Sequence, residues 1–166
     1  MARSRGGRGR ARPEPERRAA SALSVIVSLH VATGAVGGWA AGSPVRAALL
    51  GPVLHFLGDR VPHQDLASHR FELTTGVLGV LALAVARGPL DPATVGAVTS
   101  GIPDLEHVVR LPRPGGRKLF PSHRILGWHR PGGISANAQL LVAGLLLGAM
   151  LGQRLRKPIG SQPPYS

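Results

Sequence analysis

Eleven residues, His55-Phe-Leu-Gly-Asp59-Arg-Val-Pro62-His63-Gln-Asp65, hold two of the seven histidines and two of the four aspartates in the chain. Imidazole nitrogen and carboxylate oxygen together suit Zn²⁺ and similar divalent ions. His55 and Asp59 are four apart, which stacks them on one face of a helix. Pro62 biases Val61 away from the helical region, so that helix is expected to end near Arg60. His63 and Asp65 would then fold back over the pair. A second cluster echoes the first: Pro103-Asp104-Leu105-Glu106-His107, followed by His123 and His129. Asp104 and His107 share a face if that stretch is helical, whereas Glu106 points elsewhere.

One metal ion needs three or four protein ligands. The candidates are His30, His55, Asp59, His63, Asp104, His107, His123 and His129. That surplus implies either two ions, or one ion with partners that orient its ligands. An ion with an open position would lower the pKa of its water and make a nucleophile. Glu106, if not a ligand, is the candidate general base. Ser122 precedes His123, but no carboxylate stands near it along the chain, which argues against a serine nucleophile. Several of these residues also have plainer roles. His69 reads as a surface residue at a helix start, Asp91 as a helix cap, and Asp65 as a cap for the third helix. His30 also suits a neutral histidine hydrogen-bonded to a neighbouring helix.

The elements that must position these groups are apolar helices. Ala19 to Ala41 carries no charge over 23 residues and holds His30 near its middle. At ~1.5 Å per residue it spans about 34 Å, enough for a bilayer. An ionisable side chain at such depth is a functional candidate. Gly34 and Gly38 would let another helix approach closely. Ser43-Pro44 opens a second segment, 45–58, which ends in the first motif. Ser68 or Asp65 caps a third, running to about Ala86 before Arg87-Gly88-Pro89. Asp91-Pro92 opens a fourth, 93–102. Residues 110–130 form a long polar loop with Arg110, Arg113, Arg117, Lys118, Arg124 and Arg130, a cationic surface for a phosphate-bearing substrate. The last helix covers 134–151, with Gly144, Gly148 and Gly152 as a small-residue stripe.

The expected architecture is an all-α, integral membrane bundle of about five helices. Residues 1–18 form a disordered basic tail, 19–152 the membrane domain, and 153–166 a disordered C-terminal tail. The chain has no cysteine, which excludes disulfides and thiolate zinc sites. Aromatic residues are 4%, while Gly and Ala-Leu-Val runs abound, which suits small-residue packing in a membrane. The formal net charge of +12 is uneven. With the N-terminus cytoplasmic and each segment crossing, fifteen of the twenty Lys and Arg residues fall on the cytoplasmic side. The positive-inside rule favours this orientation. Both His/Asp clusters then share that face, with His30 beneath them.

The motifs resemble those of small membrane-bound proteins classed as predicted metal-dependent hydrolases, including the LexA-regulated inner-membrane group of bacteria. That family has a His in its first hydrophobic helix, where His30 stands here. Its Pro-Asp-x-Asp-His motif corresponds to Pro103-Asp104-Leu105-Glu106-His107, with Glu in place of the second Asp. Its His-Arg-Gly-x-Thr-His-Ser motif corresponds to His123 through Arg130, with one extra residue between His123 and His129. Some relatives carry His-x3-Asp-x2-Pro-His-x-Asp, which residues 55–65 fit in full. The His-x3-Asp spacing is also similar to that of zinc-dependent phospholipase C enzymes, which are all-helical. The resemblance covers about residues 25–150 and implies a membrane protein with a divalent metal site, zinc in one or two ions. Taken with the convergence of the His/Asp clusters, it leads to the expectation of hydrolysis of a phosphoester or lipid-linked substrate at the cytoplasmic face.

Two other classes remain open from the sequence. One is a membrane protein whose His/Asp site is structural and not catalytic. The other is a membrane-anchored binder of anionic polymers through the seven arginines of residues 1–18. No aromatic is interleaved there for base stacking, so the tail reads better as a positive anchor than as a nucleic-acid site.

Overall fold

The computed structural model describes residues 26–64, 66, 68–109, 111–128 and 132–155. The basic tail, residues 19–25, Asp65, His129 and residues 156–166 lie outside them. The described chain is helical, with five helices of ten residues or more: α1 Val27–Ala41, α2 Pro44–Gly58, α3 His69–Arg87, α4 Pro92–Gly101 and α5 Ala136–Leu155. A 3-10 turn, Ile102–Asp104, leads into one helical turn, Leu105–Val108. No strand is present among the described residues. One parallel bridge joins His63 to Ile134.

Local chemistry sets the helix ends. Gly42 closes α1 at φ 67°, a left-handed position that costs glycine little. Pro44 stands in the first turn of α2, where its missing N–H is not needed. The Ser68 hydroxyl accepts from the Phe71 amide and caps α3, and Asp91 Oδ1 accepts from Ala93 N and caps α4. The last helix starts at Ala136, two residues later than expected, and runs past the expected end to take in Gly152 to Leu155.

The short helix α4 sits at the centre, against both α1 and α2. Glycine makes this possible. A Cβ added to Gly96 would lie 2.8 Å from Gly38 Cα and strike the Gly34 carbonyl, so the α1 and α4 backbones touch. Gly34 and Gly38 thus do what their spacing suggests. The stripe Gly144, Gly148, Gly152 does not, because a Cβ at each would meet nothing within 4 Å. The apolar core gathers Val31, Ala35, Leu83, Ala93, Ala97 and Met150 from α1, α3, α4 and α5.

Large apolar side chains also cover the outside. Val45, Leu49, Val53 and Leu57 recur every four residues on the exposed face of α2; Phe71, Leu78, Leu81 and Val85 are exposed on α3, and Leu141 and Leu145 on α5. Among the described residues one helix holds a stretch long and apolar enough to cross a membrane, Ala136–Gln153 in α5. At ~1.5 Å per residue, α1 and α2 extend about 22 Å and α4 about 15 Å, against about 30 Å of hydrocarbon. A full crossing by each segment, the premise of the charge count, therefore does not follow from the helix lengths.

Candidate metal centre

His55 and Asp59 stand one turn apart at the end of α2, as the spacing requires. The Asp59 amide still bonds the His55 carbonyl at 3.0 Å, and the chain then tightens through Arg60 N to Leu57 O and Val61 N to Gly58 O. Both side chains are fully buried. The His55 ring donates Nδ1–H to the Ser100 carbonyl at 2.8 Å, since a carbonyl can only accept. That bond fixes the tautomer and turns Nε2 toward the cluster.

Four donor atoms converge there. His55 Nε2 lies 3.2 Å from Asp59 Oδ2, 3.7 Å from Asp104 Oδ1 and 3.4 Å from His123 Nε2. His123 Nε2 lies 3.6 Å from Asp59 Oδ2 and 3.9 Å from Asp104 Oδ1. Asp104 reaches this point from the 3-10 turn after α4, and His123 from the long loop. His30 stands in the first turn of α1, with Nε2 3.2 Å from Asp59 Oδ1 and its ring 4.1 Å from that of His55. Gly58 gives that ring its room, because a Cβ there would lie 2.8 Å from His30 Cε1.

A second tier surrounds these atoms. His123 Nδ1 is hydrogen-bonded to Glu106 Oε1, and Glu106 Oε2 accepts from the Leu119 amide. The Ser122 hydroxyl donates to Asp59 Oδ2. Burial by itself would raise the Glu106 carboxyl pKa, but the bonds from His123 and Leu119 outweigh it and hold it below the usual Glu value. Burial holds His123 below the ordinary imidazole value despite Glu106 and Asp59 nearby. A neutral ring that gives Nδ1–H to Glu106 presents its Nε2 lone pair to Asp59 and Asp104.

Glu106 therefore faces the cluster, contrary to the expectation that it points elsewhere. The chain changes from 3-10 to α-helical winding between Asp104 and Leu105, and the loop folds back over the turn. Asp104 turns inward while His107 stays exposed, with Nε2 3.2 Å from His123 Nδ1 and Nδ1 3.4 Å from Lys118 Nζ. His63 is buried and donates Nδ1–H to the Val61 carbonyl at 2.6 Å. His129 and Asp65 lie outside the described residues, and nothing places them. Three overlapping triplets could hold a metal ion, their donor atoms all within 4.8 Å: His30, His55 and Asp59; His55, Asp104 and His123; Glu106, His107 and His123. His63 belongs to none of them.

The sequence carries no signal for Ser100 or Phe120, and it sets Ser122 aside for want of a nearby carboxylate. Ser122 has its carboxylate after all, but Asp59 is 63 positions away in the chain. Ser100 acts through its backbone, which no residue pattern marks. Phe120 sets its ring edge-on to His55 at 5.1 Å. Trp128 anchors the loop: Nε1–H bonds the Phe56 carbonyl at 3.0 Å, and the indole lies against the Phe56 ring and under the Arg60 guanidinium. Next to the cluster, Arg117, Lys118, Arg124 and His123 line an open cleft of about 480 Å³. Burial pulls the Lys118 pKa below its usual value.

No protein-family model matches the chain, and no curated protein or solved structure does so either.

Proposed function

We propose that this protein is a membrane-embedded, metal-dependent hydrolase acting on a phosphoester or lipid-linked substrate. The observation that carries the reading is the spacing of the four donor atoms. A tetrahedron with metal–ligand bonds of ~2.0–2.1 Å has edges of about 3.3 Å. Five of the six distances among His55 Nε2, Asp59 Oδ2, Asp104 Oδ1 and His123 Nε2 run from 3.2 to 3.9 Å, so His55 and His123 lie within ligand-edge distance of both carboxylates. Two imidazoles with two carboxylates favour zinc over calcium or magnesium, which prefer all-oxygen shells. Asp59 and Asp104 are both buried beside His55, and a divalent cation held there would offset their two negative charges.

Each of three proposed ligands has its own orienting partner: Ser100 O for His55, Glu106 for His123, and Ser122 for Asp59. Such outer partners are the usual companions of metal ligands. Glu106, assigned from sequence as a general base, is better suited to this positioning role, because both its oxygens are engaged. With one of the four ligands giving way to solvent, a bound zinc ion would supply an activated water and polarise the phosphoryl oxygen. Arg117, Lys118 and Arg124 would draw the anionic substrate to the His123 side of the site. The apolar exterior of α2, α3 and α5 supports a lipid surround, since contiguous exposed apolar faces mark membrane or partner contact. The N-terminus would be cytoplasmic, by the charge asymmetry given above.

A second reading has its own observation. His55, Asp59 and Asp104 are nearly inaccessible, and a closed four-ligand shell is the mark of a structural site. One experiment addresses both. Full-length protein purified in detergent is assayed for zinc content and for phosphate release from phenyl phosphate, wild type against Asp59→Ala with Asp104→Ala. Zinc and turnover in the wild type, both lost in the variant at unchanged helical circular dichroism, are expected. Zinc without turnover favours the structural site, and negligible zinc in both proteins rejects the centre.

A further inference from the structure

An apolar groove of about 210 Å³ lies between α1, α3 and α4. Val27 and Val31 of α1, Leu73, Val77 and Leu81 of α3, and Ile102 and Leu105 from the turn after α4 line it. From Leu73 to Leu81 it follows α3 for about 12 Å at ~1.5 Å per residue. Ile102 and Leu105 flank Asp104 in the chain. The next two residues face the other way: Glu106 toward His123 and Leu119, His107 toward Lys118. His123 and Lys118 line the cationic cleft. The turn from Ile102 to His107 therefore joins the two: Ile102 and Leu105 line the hydrocarbon-accepting groove, and Glu106 and His107 bond His123 and Lys118 of the anion-attracting cleft.

We infer that the ligand is an amphiphile with a single hydrocarbon tail and a phosphate-monoester head. The head lies in the cleft among Arg117, Lys118 and Arg124, beside His123, and the tail lies in the groove along α3. The cleft alone would take any phosphate, and the groove alone any hydrocarbon; the turn that joins them selects a molecule with both. Binding stands on these two surfaces, while turnover rests on the hydrolase reading above. In turnover the water oxygen bonds to phosphorus and the phosphorus–ester oxygen bond breaks. The alkanol oxygen takes up a proton, and inorganic phosphate leaves.

Gly101 offers a mild way to fill the groove. Its φ is −86°, open to any residue, and an added Cβ would meet only Val31 Cγ2, at 3.4 Å. The test uses zinc-loaded, full-length protein in phosphatidylcholine vesicles, with butyl phosphate and dodecyl phosphate as probes. Wild-type kcat/KM is expected to favour the dodecyl ester by about tenfold or more, since each buried methylene adds up to ~0.8 kcal/mol. Gly101→Leu should lower dodecyl phosphate turnover more than butyl phosphate turnover and so remove most of that preference. A second arm needs no catalysis: dodecyl phosphate with a diazirine at its tail end is photo-cross-linked and mapped by mass spectrometry. Labelling of Leu73, Val77 or Leu81 that excess dodecyl phosphate displaces, but dodecane does not, supports the assignment even in the absence of turnover. Turnover with equal preference for both esters, or labelling that dodecane displaces equally, overturns the assignment and leaves the hydrolase reading standing.

Discussion

Replacing Glu106 by Gln separates a positioning role from a catalytic one. The wild-type carboxylate accepts from His123 Nδ1 and from the Leu119 amide. The Glu106→Gln side chain would keep an oxygen for His123 but lose the charge. Charge-assisted hydrogen bonds contribute ~1.5–3 kcal/mol and neutral ones ~0.5–1.5, so the change costs about 1–1.5 kcal/mol. That equals a loss of about 5- to 12-fold in zinc affinity, at the lower edge of the ~10–100-fold typical for partners of metal-bound histidine. The assay is competition against a fluorescent chelator at neutral pH, followed by phenyl phosphate turnover at saturating zinc. Weaker zinc binding with turnover restored to within about threefold is expected. Unchanged zinc affinity with turnover down by ~10²–10⁴ would be the signature of a lost general base and would refute the positioning role.

Glycine substitutions should divide by location: Gly96→Ala forces the α1 and α4 backbones apart and should cost ~1–3 kcal/mol in denaturant titration. Gly148→Ala meets open space and should be neutral or stabilise by up to ~1 kcal/mol; equal effects would deny the close crossing. Ser122→Ala removes one donor to Asp59 and should weaken zinc binding by about tenfold or less. Turnover lost beyond about 10³-fold at saturating zinc would mark Ser122 as a nucleophile instead. Trp128→Ala deletes the anchor to Phe56 and Arg60, so amide exchange should rise across residues 117–128 with zinc-free α2 unchanged. Exchange that stays flat would mean the loop is held elsewhere.

Much of the fold was legible because the apolar runs are long and their ends are marked. Ser68, Asp91 and Pro44 cap or open helices where their types suggest. The His55–Asp59 pair was readable for the same reason: four residues on a helix are one turn, whatever the tertiary context. Farther-reaching relations were not. The Ser122–Asp59 bond spans 63 positions, and the Ser100 carbonyl acts without its side chain. Glu106 was misplaced because one turn of 3-10 helix precedes it, and helical phase does not carry across a change in winding. The glycine stripes show the same limit. Spacing alone treats Gly34 and Gly38 like Gly144 and Gly148, yet only the first pair meets a neighbouring backbone.

Zinc-edge X-ray absorption on the full-length protein tests the central claim most directly. The account requires a shell of about four nitrogen and oxygen neighbours at ~2.0–2.1 Å, with imidazole scattering from two rings. Imidazole scattering should fall by about half in His123→Ala. A spectrum of hydrated zinc, or one that His55→Ala and His123→Ala leave unaltered, would contradict it.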